Sequence, residues 1–132
     1  MRTRLLVLTA LAVAVAALAL PQPASSAVLF EGTFGPAGTH TGKGRVTVVT
    51  GKNGARYIKL SRDFRAYEAV RLNLYLATDA SATTFRNLGL MRASGAQRFL
   101  VPRSINFTRY RYVIAWCIDF DVPITDAVLR RA

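Results

Sequence analysis

The sequence predicts an all-β protein, a two-sheet antiparallel β-sandwich of about eight short strands placed after a cleaved N-terminal signal helix. Three observations predict it. Short apolar runs rich in β-branched and aromatic residues follow one another, and turn signals such as Gly51-Lys52-Asn53-Gly54 and Ser94-Gly95 separate them. One run, Leu72-Asn73-Leu74-Tyr75-Leu76, alternates with the period of two that a half-buried strand requires. No repeat, low-complexity tract or Pro/Gly/Ser-rich linker interrupts residues 28–132.

The first element is a leader. Met1-Arg2-Thr3-Arg4 is a basic start, residues 5–20 are apolar apart from one Thr, and Pro21-Gln22-Pro23-Ala24-Ser25-Ser26-Ala27 ends in small residues. These are the three parts of a secretory signal peptide, with cleavage expected after Ala27. The apolar run is shorter than the roughly 20 residues that span a bilayer, which argues against a retained anchor. No later segment is long and apolar enough to cross a membrane, so no transmembrane span is expected after cleavage. The expected destination is secretion or the cell envelope. Removing residues 1–27 from the 132 leaves one domain, 28–132, large enough for a modest single core.

Within that domain, residues 44–50 and 56–61 predict a hairpin in which Val46, Val48 and Val49 face Tyr57, Ile58 and Leu60 across Asn53-Gly54. Asn-Gly readily takes the positive φ that a tight turn needs. Residues 72–76 follow, with three leucines on one face and Asn73 and Tyr75 on the other. Beyond the polar stretch 79–84, Leu88-Gly89-Leu90 and residues 97–101, ended by Pro102, predict a second hairpin around Ser94-Gly95. The strongest strand spans residues 112–120, and Val122-Pro123-Ile124 and Ala127-Val128-Leu129 come after it. Strand parity puts Tyr112, Ile114, Trp116, Ile118 and Phe120 on one face and Val113, Ala115, Cys117 and Asp119 on the other. The larger residues mark the Trp116 face as the expected core face. Cys117 is then expected opposite it, towards solvent or another protein.

Charge and inventory narrow the chemistry. The chain has 18 Lys and Arg against 7 Asp and Glu, a net charge of +11, and loss of Arg2 and Arg4 with the leader leaves about +9. Such a charge suits anionic partners, among them acidic cell-envelope polymers. The cations are scattered singly from Lys43 to Arg131, as solvated strand faces would have them. Arg109-Tyr110-Arg111-Tyr112 interleaves basic and aromatic residues, but alternation along a strand explains it and no recognition motif accompanies it, so no nucleic-acid binding is expected. With one histidine the chain lacks a blue-copper set, it has no Cys-x-x-Cys-His for covalent haem, and it lacks the ligands of a structural zinc. No autonomous catalytic set is legible either.

Cys117 is the single cysteine, so it has no partner inside the chain. In an oxidising compartment it must be hidden, paired with another molecule as a disulfide-linked dimer or mixed disulfide, or used. Its reactivity depends on thiolate formation, which an Arg such as Arg111 would help and Asp119 would oppose. Trp116, next in sequence, is either packing or an electron relay. His40, within Gly38-Thr39-His40-Thr41-Gly42, is either a hydrogen-bonded turn residue or a ligand or proton shuttle.

The run Asn87-Leu88-Gly89-Leu90, Gly95-Ala96-Gln97-Arg98-Phe99, Val101-Pro102, Tyr110 and Val113-Ile114-Ala115-Trp116-Cys117-Ile118-Asp119-Phe120 resembles the DM-thirteen electron-transfer domain family. Gly32-Thr33-Phe34, His40, Gly44, Leu60, Phe64 and residues 72–76 extend the resemblance over about residues 30–129. It implies an exported β domain whose characteristic cysteine, here Cys117, acts in a redox or electron-transfer chain. It also implies a partner, another envelope redox protein, holding haem or a different redox cofactor, with no cofactor intrinsic to this domain. Two positions depart from the family pattern: Ala69-Val70-Arg71 stands where Gly-Pro-Asp is usual, and Asn106 stands where an acid is usual. The expected function is a redox accessory acting through Cys117, and the alternative is a non-catalytic binding module with a basic surface.

Overall fold

Side chains alternate across a strand, so each apolar run above must bury at least one face against another layer. The computed structural model describes residues 9–14, 27–67 and 71–132. Apart from 9–14 and Ala27, the expected leader lies outside the described residues, as do Ala69 and Val70. None of the described helices is long and apolar enough to cross a membrane.

Twelve strands are described: β1 (Val28–Thr33), β2 (Gly35–Pro36), β3 (Gly42–Lys43), β4 (Arg45–Thr50), β5 (Arg56–Leu60), β6 (Arg65–Ala66), β7 (Leu72–Ala77), β8 (Phe85–Met91), β9 (Gln97–Val101), β10 (Tyr112–Cys117), β11 (Val122–Val128) and β12 (Arg130–Arg131). Four of them are two-residue pieces and eight are longer; of those eight, β1 is not among the strands read from the sequence, and β11 joins the two pieces expected at 122–124 and 127–129. They form two five-stranded antiparallel sheets, β12-β1-β4-β5-β9 and β2-β11-β10-β7-β8, while β3 and β6 make a small separate pair. The class and the two-sheet architecture are those expected.

The core lies between the sheets. Val46, Val48, Ile58 and Leu60 of the first sheet meet Leu72, Leu74, Leu76, Val113, Ala115 and Ile124 of the second, with Phe34 and Phe64 wedged edge to face at 4.8 Å. The β4–β5 hairpin forms as expected, from Val46 opposite Leu60 to Thr50 opposite Arg56. Its turn places Asn53 at φ 61° and Gly54 at φ 71°, the conformation that Asn and Gly tolerate best. β7 also follows its pattern, burying Leu72, Leu74 and Leu76 and leaving Asn73 and Tyr75 half-buried.

The second expected hairpin does not form. β8 pairs back onto β7, closing the polar stretch 79–84 as the turn, whereas β9 crosses to the other sheet and pairs with β5. Ser94-Gly95 therefore marks a crossover between sheets. Gln97 locks it, accepting from Arg92 N–H at 2.7 Å and donating to Arg92 O at 2.9 Å.

The face assignment of the strongest strand is also corrected. β10 ends at Cys117, and Val113, Ala115 and Cys117 are the residues that point into the main core. The reason is that β10 is covered on both faces. Ile114 is fully buried on the outer side under Ala77 and Ala82, with Tyr75, Tyr112 and Trp116 packed around it. Large residues sit where cover is partial, and small ones sit where the opposite sheet already fills the space. Phe120, expected on the core face, is 77% exposed in the turn after β10.

Candidate functional site

The residues around Cys117 come together through two local departures from regular pairing. Along β10 and β11 the register runs from Ala115 opposite Thr125 to Trp116 opposite Pro123, so the strand carries a bulge at Ile124. A bulge is also where a strand tolerates proline, and Pro123 sits beside it. Beyond Cys117, which pairs with Val122, the chain reverses through residues 118–121, with Asp121 at φ 54°.

The second departure holds His40. Ala37 and His40 exchange backbone hydrogen bonds at 3.0 and 3.2 Å around Gly38 at φ 61°, which makes a tight loop. The segment is pressed onto β11 at Gly42, where an added Cβ would lie 2.6 Å from Arg65 O and 2.6 Å from Thr125 Cβ. Thr125 itself is buried, and its hydroxyl donates to Gly35 O at 2.7 Å. Only glycine at position 42 permits this approach.

Together these features form an open, mainly apolar pocket of about 420 Å³ lined by His40, Cys117, Phe120, Val122 and Ile124. Cys117, 3% exposed, lines the pocket from the core side, and Phe120, 77% exposed, stands at the rim. The turn that carries Phe120 is tied at both ends. Asp119 forms an ion pair with Arg71 at 2.9 Å, and Trp116 Nε1 donates to Asp121 at 2.9 Å.

Of the residues singled out in the sequence, His40 and Cys117 thus share one pocket. Asp119 is engaged with Arg71, the residue that replaces the family's usual acid. Trp116 lies on the outer face, stacked on Tyr75 at 5.2 Å, and Tyr75 stacks in turn on Phe85 at 4.2 Å. Arg111 precedes the far end of β10, about 20 Å along the strand from Cys117. It donates to Leu129 O at 3.3 Å and lines a different hollow with Phe30 and Phe107. Asn106 closes a local turn by accepting from Thr108 N–H at 2.9 Å.

Residues 33–129, from the end of β1 to the residue before β12, match the family described as electron transfer DM13. The chain belongs to that family. No curated protein and no solved structure matches it.

Among the described residues no three His, Cys, Asp or Glu side chains converge where they could hold an ion. The two shifted carboxyls lie elsewhere: burial raises Asp126 above the usual carboxylate range, and hydrogen bonds from Thr83 and Ser81 lower Asp79. What the Cys117 pocket offers is a thiol, an imidazole and apolar walls. Phe120, Val122 and Ile124 are the lining residues that sequence reasoning passed over. Pro123 inside a strand was the available signal, because it implies a bulge that re-aims Ile124.

Proposed function

We propose that this electron transfer DM13 domain is an exported redox accessory whose exchanging group is Cys117. The observation that carries the reading is that the only cysteine of the chain lines an open pocket together with the only histidine. His40, whose imidazole belongs to the same pocket, is the base assigned to the thiol. The thiolate sulfur attacks one sulfur of a disulfide on a redox partner. A Cys117–partner S–S bond forms as the partner's S–S bond breaks, and its second sulfur leaves as a thiolate. Attack of that thiolate on the mixed disulfide restores the starting bonds; attack of an external thiolate on the Cys117 sulfur instead forms a Cys117–external S–S bond, breaks the Cys117–partner bond and releases the partner as a dithiol that carries the electron pair. Any haem or other redox cofactor belongs to the partner.

Phe120 at the rim and Val122 and Ile124 in the wall admit an apolar side chain of the partner beside its disulfide. Incubating the protein with a small protein whose single cysteine carries thionitrobenzoate as a mixed disulfide tests this, because attack on the protein sulfur releases thionitrobenzoate as the leaving thiolate. A covalent 1:1 adduct that is reversed by reductant and absent in Cys117→Ser is expected; failure of the folded wild-type protein to form it would overturn the proposal.

A further inference from the structure

The cations scattered along the sequence are brought into line by strand register. Glu31 lies opposite Arg130 and Thr47, Thr47 opposite Lys59, and Lys59 opposite Arg98. Residues paired in this way point to one face of a sheet, and neighbouring strands are about 4.8 Å apart. Val46, Val48, Ile58 and Leu60 fill the inner face, so the row Arg130–Glu31–Thr47–Lys59–Arg98 crosses the outer face over about 19 Å. Beside the row, Arg45, Lys59 and Arg62 surround a shallow groove of about 430 Å³ with the hydroxyl-bearing Thr47 and Ser61.

Five cations therefore share this face with two carboxylates, and a third, Asp126, lines a hollow at its edge with Glu31, Arg45 and Arg130. Glu31 is held by Arg45 at 3.7 Å, and Asp63 accepts from the Ser61 hydroxyl at 2.5 Å. Tyr57 adds an aromatic surface under Arg98, whose guanidinium lies 4.3 Å from the ring centroid. We infer that the outer face of sheet β12-β1-β4-β5-β9 binds a linear phosphate-bearing polymer, with one phosphate in the Arg45–Lys59–Arg62 groove and the chain running along the row.

A polymer fits better than a small anion because the cations extend across five strands around an open groove. It fits better than a lipid surface because the exposed apolar residues here, Leu100 at 63% and Val28 at 46%, lie on sheet strands and not on a loop tip able to reach below headgroups. This inference is independent of the thiol chemistry.

Titrating the protein with long-chain inorganic polyphosphate at several salt concentrations tests it. Affinity is expected to fall with salt at a log–log slope of about −2 to −4, the release expected for several neutralised phosphates on a flexible chain. Lys59→Glu with Arg62→Glu is expected to weaken binding about tenfold or more, and the milder Lys59→Gln with Arg62→Gln less. Arg86→Glu with Arg109→Glu makes the same change in net charge away from the groove and is expected to alter affinity by less than about twofold. Equal losses in both charge-reversal pairs would overturn the inference by showing attraction to net charge alone. So would binding to anionic phospholipid vesicles without binding to polyphosphate, or loss in neither pair.

Discussion

Arg56 is tied down through one end of its guanidinium. Its Nη2 donates to the carbonyls of Pro102, Arg103 and Ile105 at 3.3, 3.1 and 2.8 Å, and the guanidinium lies 4.9 Å from the Phe107 ring centroid. One side chain of β5 thereby fastens the irregular segment after β9, in a turn where Pro102 O also accepts from Ile105 N–H at 3.1 Å. A lysine is shorter and lacks the flat face that meets Phe107, so Arg56→Lys is expected to cost about 1–3 kcal/mol despite keeping the charge. Thermal unfolding checks it; an unchanged midpoint would show that water satisfies these carbonyls equally well. Nothing in the sequence marks Arg56 apart from its neighbours. Its partners lie more than 40 positions away, and only the pairing of β5 with β9 brings them together. Cys117, in contrast, stood out at once by being alone, although which way it points was not legible.

At the scale of elements, legibility follows the range of the forces involved. The β4–β5 hairpin was readable because Asn53-Gly54 and the flanking valines are local signals. β8 and β9 were paired with each other in the sequence because a turn signal separates them, but each has a better partner elsewhere, and no local pattern chooses between partners. β10 was assigned its faces by residue size, a rule that fails for a central strand with cover on both sides. The loop holding His40 depends on Gly42, where β3 approaches Thr125 and the Arg65 backbone too closely for a side chain. Gly42→Ala is expected to destabilise the protein by about 1–3 kcal/mol, as overpacking does. It should also shift the His40 ring resonances in NMR spectra of the folded variant. Resonances that stay in place would mean that the loop is positioned by something other than this contact.

For the molecule as a whole, class and architecture were legible because they depend only on the number, length and patterning of apolar runs. The relation between its surfaces was not. Scattered arginines became a row only through register, and Arg71, read as a lost acid, turned out to pair with Asp119 beside the Cys117 pocket. The outcome is a sandwich with a basic outer face on one sheet and a thiol pocket formed along β10 and β11 of the other. The central claim is that this pocket makes Cys117 usable in the folded protein although the residue is almost fully buried. The rate of reaction of Cys117 with a small disulfide reagent, followed across increasing denaturant below the unfolding transition, tests that claim most directly. The account predicts a measurable rate in water that stays flat until unfolding begins, because access comes through the pocket. A rate that vanishes in water and rises in step with the unfolded population would contradict it, leaving Cys117 as a packing residue.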